Sequence, residues 1–205
     1  GCYYVFPAAA SRRFEHSLGV AYLARYFVNH LKSLQPELNL TEVDCLCVEL
    51  AGLIHDLGHG PFSHLWDGRF LPHMGTGLGF DHEHASIALF DLLVEKYNLE
   101  PDFASHGLTA NDRHFVKELV LGGPKGAPKG FQWRGRPGKE FLFDIVANQR
   151  NGIDVDKFDY FSRDALVLGI NKSFDALRLI RFARVERVAR STPELGGAVL
   201  TEQPK

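Results

Sequence analysis

Long apolar runs are missing from this chain. No segment approaches the roughly 18 to 20 consecutive apolar residues that a membrane-spanning helix needs. The opening stretch GCYYVFPAAASRRF has no basic region leading into an apolar one. Cysteine is scarce: Cys2, Cys45 and Cys47 are the only three in 205 residues. Cys45 and Cys47, two apart in a helical pattern, point in different directions and form no paired framework. Free thiols in a reducing compartment are therefore expected, in a soluble protein of the nucleus or cytoplasm with no membrane partner. An excess of one charge is also lacking, since 23 basic and 25 acidic side chains leave a formal net charge of -2. That balance provides no bulk field for nucleic acid, so any anion must be held by a local cluster. An initiator methionine is absent and the chain begins in an apolar, aromatic run, which suggests a piece of something longer.

What is present suffices for a core. A 45% apolar and 12% aromatic content in this length fits one domain, or a large part of one, over residues 1–205. Apolar residues Phe14, Leu18, Tyr22, Phe27, Val28 and Leu31 recur at helical spacing. Thr41 opens a second helix in a T-E-V-D capping pattern, which runs through Leu50 and Ile54. That helix must stop by Gly58, because Gly58, Gly60 and Pro61 interrupt regular helix, which puts His55 and Asp56 in its last turn. Pro61 suits the start of a short helix carrying His64 and Asp67, and Asp81 can cap another whose core face is Ile87, Phe90 and Val94. Thr109 starts a helix ending near Leu121.

Residues 122–139 hold six glycines, three prolines and five basic side chains, which predicts a mobile loop. Its Lys125, Lys129, Arg134, Arg136 and Lys139, interleaved with Phe131 and Trp133, could contact single-stranded nucleic acid or form a solvated loop. Helical pattern resumes over Phe141–Gln149 and Asp154–Leu168, with Gly169 as a stop and Phe158 and Phe161 facing burial. Beyond Phe174 a short helix leads into RVERVARSTPELGGAVL, which reads as a hairpin about Pro193, Gly196 and Gly197. The expected fold is mainly α, a helical core with a small β-hairpin near the C-terminus.

Chemistry concentrates in HDLGHGPFSH, residues 55–64, with three histidines and one aspartate in ten positions. An adjacent His-Asp pair at a fraying helix end can turn toward one point, but a divalent ion would still need ligands from elsewhere. His16, polar on an otherwise apolar helix, and Asp156 are the candidates. On one helical face Asp156, Tyr160 and Asp164 stand at i, i+4 and i+8, either a solvated face with a salt bridge or a functional one.

The segments RFEHSLGV, AGLIHDLGHGPFSHLWDGRF, DHEHAS and NGIDVDKFDYFSRDALVLGI, in this order, resemble the HD-domain metal-dependent phosphohydrolases. The chain is most similar to the eukaryotic dNTP triphosphohydrolases that join a sterile alpha motif to an HD domain. The similarity runs from GCYYVFP to RFARV and is weakest in the loop. It implies an HD-domain helical core and dNTP hydrolysis to deoxynucleoside and inorganic triphosphate, in dNTP catabolism and antiviral defence. By that resemblance His16, His55, Asp56 and Asp156 are ligands of a divalent metal, whether iron, zinc, manganese or magnesium.

His59, His64 and His82 match the second histidine set, with His64 as general acid oriented by Asp67, and with His59 and His82 contacting phosphate or positioning water. Arg13 and Lys157 match triphosphate-binding positions, and Tyr160 and Asp164 match contacts to the sugar and its 3'-hydroxyl. Val5, Phe6, Asp175 and Arg178 match one pocket for an activating GTP or dNTP between subunits of a homo-oligomer, dimer to tetramer. His84 stands where the family pattern has a glutamine-like neighbour, and His30, His73, His106 and His114 match no partner, so none receives a role.

Three rivals remain. A metalloprotease pairing of His55 with His59 fails because D-L-G lies between them and glycine breaks the helix it requires. Another HD phosphohydrolase, acting on a cyclic nucleotide or alarmone, would release a different product. A catalytically silent nucleotide or nucleic-acid binding module would not need the full ligand set with His64 and Asp67.

Overall fold

The structure is a computed structural model in which residues 2–75, 79–171, 174–187 and 199–202 are described. A short 3-10 turn, Cys2–Tyr4, precedes α1 (Arg13–Leu34) and α2 (Glu42–Ile54). A π-helical turn, Trp66–Phe70, leads into α3 (Leu71–His73), followed by α4 (His82–Lys96), α5 (Glu100–Ser105) and α6 (Ala110–Leu121). Then come α7 (Phe143–Val146), α8 (Val155–Leu168), α9 (Ala176–Phe182) and strands β1 (Ala183–Glu186) and β2 (Val199–Glu202).

Local chemistry sets most boundaries. Thr41 and Asp44 close a reciprocal capping box on α2, and Thr109 and Asp112 do the same on α6. Asp81 accepts from the His84 N–H at the start of α4, and Asp154 accepts from Lys157 N–H at the start of α8. Gly169, left-handed at φ 67°, ends α8. β1 and β2 pair antiparallel from Ala183 opposite Glu202 to Glu186 opposite Val199, as the hairpin reading required. The turn about Pro193, Gly196 and Gly197 lies outside the described residues.

One apolar cluster joins α1, α2, α6 and the segment before α8. Val20, Phe27 and Leu31 of α1, Val48 of α2, and Phe115 and Leu119 of α6 meet Phe141, Leu142 and Ile145 there. Ile87, Phe90 and Val94 bring α4 against it as expected. Phe14, Leu18 and Tyr22 instead stand exposed, at 71%, 49% and 63%. They share one i, i+4 stripe, whereas the adjacent stripe through Ser17 and Val20 is the buried one and His16 lies beside it, half-buried.

Three expectations are corrected. The helix expected over Phe141–Gln149 is a 3-10 turn, Glu140–Leu142, followed by the single turn of α7, with Ala147 already outside helical geometry. Phe158 is buried but Phe161 is about half exposed, packing edge-on to Phe174 at 6.0 Å. The loop 122–139 is anchored rather than mobile, because buried carboxylates need charge or N–H partners. Arg136 bridges Asp44 and Asp112 and lies 4.2 Å over the Phe115 ring, and Lys139 Nζ is 2.6 Å from Asp44. The N–H groups of Arg134 and Gly135 donate to buried Glu118. Phe131 stacks on His114 and Trp133 packs against Phe143.

Candidate metal centre and active site

Two clusters of metal-ligating atoms sit side by side. In the first, His16 from α1, His55 and Asp56 from the turn after α2, and Asp156 from the first turn of α8 offer ligand atoms all within 4.8 Å of one another. His16 Nε2 is 3.0 Å from Asp156 Oδ1 and 3.3 Å from Asp56 Oδ2, and His55 Nε2 is 3.4 Å from Asp56 and 3.5 Å from Asp156. His55 Nδ1 donates to the Gly52 carbonyl at 2.8 Å, which leaves Nε2 to face the two carboxylates. That Nε2 atom is buried without a hydrogen-bond partner. An orphaned imidazole nitrogen aimed at two carboxylates fits a divalent cation, and two nitrogens with two oxygens are a suitable donor set.

The turn after α2 is fastened from α4. Ser86 Oγ donates to the His55 carbonyl at 2.7 Å and accepts from the Gly58 N–H at 2.8 Å. Gly58 makes this approach feasible, because a Cβ there would overlap the His82 carbonyl and the Ser86 nitrogen.

In the second cluster, His59, His64, Asp67 and His82 also place ligand atoms within 4.8 Å of one another. The rings of His59 and His82 stack at 3.9 Å, and His64 stands edge-on to both at 4.9 and 5.4 Å. Asp67 Oδ2 serves all three: it is 3.5 Å from His82 Nδ1, 3.8 Å from His64 Nδ1 and 4.0 Å from His59 Nδ1. Asp67 thus faces all three histidines rather than His64 alone, and 3.8 Å is too long for a hydrogen bond. His59 links the clusters, its Nε2 lying 3.4 Å from Asp56 Oδ1.

Electrostatics divide the two groups. Burial alone would lower His16, but the carboxylates of Asp156, Asp159 and Asp56 drive it up to about 11. Burial would raise Asp56 and Asp156, yet the facing histidines hold both below the usual range, Asp56 at about 2. His59 is pushed down to about 4, first by burial, and His82 is lowered for the same reason. Both are therefore neutral at pH 7. In the first cluster the imidazoles of His16 and His55, the latter also raised by Asp156 and Asp56 despite its burial, balance the two carboxylates, so a cation would bind by displacing protons. In the second, the stacked His59 and His82 are uncharged.

Both clusters open on a cavity of about 690 Å³ whose lining includes Arg13, Lys157, Tyr160 and Asp164. The structure thus gathers all the expected ligand and substrate positions at one place. Arg13 departs from a free phosphate-binding arginine, since its guanidinium pairs with Asp56 and also donates to Ser63 Oγ. Phe62 and Ser63, just before His64, both take left-handed backbone (φ 62° and 52°), a strained conformation for non-glycine residues. Asp175 caps α9 by accepting from Arg178 N–H at 3.0 Å, while Val5 and Phe6 are exposed. The roleless histidines His30, His84, His106 and His114 each turn a ring nitrogen toward a backbone carbonyl.

Several site residues escaped the sequence reading. Glu83 lines the cavity 3.2 Å from His82, its carboxyl raised to about 7 by burial and by Asp81. Ser63, Asn148 and Gln149 line it as well. Asp159, which accepts from His16 Nδ1 at 2.7 Å, stands three residues after Asp156 on α8, a spacing that could have exposed it.

The helical core, the paired His-Asp clusters and the shared cavity define a class, and family comparison agrees: the HD domain family matches residues 13–164, so the chain belongs to it. It is 54% identical over 190 residues to the deoxynucleoside triphosphate triphosphohydrolase SAMHD1 of Gallus gallus, covering 90% of this chain and 31% of that protein. It is 50% identical over 189 residues to the Homo sapiens protein of that name, covering 90% of this chain and 30% of that one. The Dictyostelium discoideum SAMHD1 homolog is 40% identical over 182 residues, 89% of this chain and 32% of that protein. The chain therefore spans about a third of the length of these relatives.

Proposed function

We propose that this chain carries the active site of a metal-dependent dNTP triphosphohydrolase, converting dNTP and water to deoxynucleoside and inorganic triphosphate. The observation that carries the reading is the convergence of His16, His55, Asp56 and Asp156 at the wall of a cavity also lined by Arg13, Lys157, Tyr160 and Asp164. Iron, zinc, manganese or magnesium suits the donor set. When bound, a divalent cation supplies positive charge for a phosphate oxygen and makes water easier to deprotonate.

The chain's own groups divide the remaining work. Lys157 and Arg13 neutralise the triphosphate, with Arg13 exchanging its Asp56 contact for phosphate oxygen. Tyr160 packs against the sugar and Asp164 accepts from its 3'-hydroxyl. His64, whose side chain is 78% exposed at the cavity mouth, donates a proton to the departing 5'-oxygen. Asp67, 3.8 Å from His64 Nδ1, orients that ring, and neutral His59 and His82 contact phosphate or position water without adding positive charge. Regulation belongs to the same reading: an activating GTP or dNTP binds between copies in a dimer or tetramer, with Val5, Phe6, Asp175 and Arg178 as contacts. A single-stranded nucleic-acid partner has less support, because Arg136 and Lys139 are spent on Asp44.

The test is incubation of the full-length protein with dGTP and mixed dNTPs, followed by product analysis. Triphosphate together with deoxynucleoside supports the reading. Release of monophosphate or diphosphate, or turnover only of a cyclic nucleotide or alarmone, would assign the site to another HD phosphohydrolase.

A further inference from the structure

His16 is held from both sides by α8. Asp156 Oδ1 lies 3.0 Å from its Nε2, and Asp159 Oδ2, one turn further along α8, lies 2.7 Å from its Nδ1. Asp159 is buried and contributes no atom to the ligand cluster. With Nδ1 engaged by Asp159, the other ring nitrogen, Nε2, is the one turned toward Asp56 and Asp156.

Asp159 is itself immobilised. Arg163, four residues on, grips both its oxygens through Nε at 3.0 Å and Nη2 at 2.9 Å. The same Nη2 donates to the Glu15 carbonyl at 3.0 Å, on the residue preceding His16. The contacts close a ring from the α1 backbone through Arg163 and Asp159 to the His16 imidazole. Gly19 leaves room for it, since a Cβ at that position would overlap Asp159 Oδ1 and lie 2.7 Å from Arg163 Nη2. His55 has no such side-chain device, because the Gly52 carbonyl fixes its ring.

We propose that Asp159 is a positioning residue for the metal centre: gripped by Arg163 in space left by Gly19, it sets the orientation of His16 toward the cation. This rests on the metal-centre reading above. The experiment is calorimetric titration of the full-length protein with Mn²⁺, with thermal unfolding of the metal-free protein as a folding control. Asp159→Ala should weaken Mn²⁺ binding by about 10- to 100-fold. Asp159→Asn keeps an oxygen acceptor for Nδ1 and should lose clearly less. Arg163→Gln frees Asp159 and should fall between them, and Gly19→Ala should weaken binding in the same direction by displacing the clamp.

His16→Ala separates the two levels. If it binds Mn²⁺ as tightly as the parent, the metal-centre reading itself fails. If it loses binding while Asp159→Ala matches the parent, only the positioning role is overturned. Should Asp159→Ala not fold, Arg163→Gln decides, and parental affinity in that variant overturns the proposal.

Discussion

At Gly58 the space for a side chain is already taken by backbone, the His82 carbonyl and the Ser86 nitrogen of α4. Neither can swing aside as a side chain could. Gly58→Ala must therefore part α4 from the turn carrying His55 and Asp56, at a cost on the order of 1–3 kcal/mol. A lower melting temperature together with weaker Mn²⁺ binding is the expected result, and parental values for both would contradict it. The catalytic assignments separate at this scale too. Asp156→Ala removes a carboxylate that faces both His16 and His55, so metal content should fall well below one ion per chain. His64→Ala should keep the metal and lose hydrolysis, because His64 lies outside the ligand set. Unchanged turnover in that variant would remove its role as acid.

Among the elements, the loop 122–139 shows how far one buried charge reaches. Asp44 is 1% exposed and faces Arg136 and Lys139 from more than ninety positions away in the sequence. Asp44→Asn leaves both cations short of a partner and should cost about 3 kcal/mol, read by urea unfolding at pH 7. Burial alone would raise the Asp44 carboxyl, but Lys139, Thr41 and Arg136 hold it below its ordinary 3.8. A group depressed in the folded state contributes stability that is present above its unfolded value and lost as pH falls through its folded value. The parent should therefore lose stability below about pH 3.8 by a margin that Asp44→Asn does not show.

The same elements mark what the sequence discloses. The helix starts at Thr41, Asp81, Thr109 and Asp154 and the stop at Gly169 were legible because each is decided by neighbours within four residues. The convergence of His16, His55, Asp56 and Asp156 was legible through the order of four motifs and the resemblance they carry. The loop's anchorage was not, since glycine and proline report local backbone freedom and say nothing of a carboxylate about ninety positions away. Asp159, Ser63 and Glu83 acquire their roles only when α1, α4 and α8 meet. The exposure of Phe14, Leu18 and Tyr22 depends on which of two adjacent stripes α2 covers.

For the molecule as a whole, a cation held by His16, His55, Asp56 and Asp156 would be coupled to folding. A cation that binds only the folded chain stabilises it by about 2.7 kcal/mol at a hundred times its dissociation constant. In a domain of this size that corresponds to roughly 5–10 °C in melting temperature. Chelation should reverse the shift, and Asp156→Ala should abolish it. Among the described residues no helix is long and apolar enough to cross a membrane. The most direct measurement is anomalous scattering from a crystal of the Mn²⁺-loaded protein. One peak should lie about 2.0–2.3 Å from His16 Nε2, His55 Nε2 and oxygens of Asp56 and Asp156. A peak only among His59, His64, Asp67 and His82, or none at either cluster, would contradict the proposed centre.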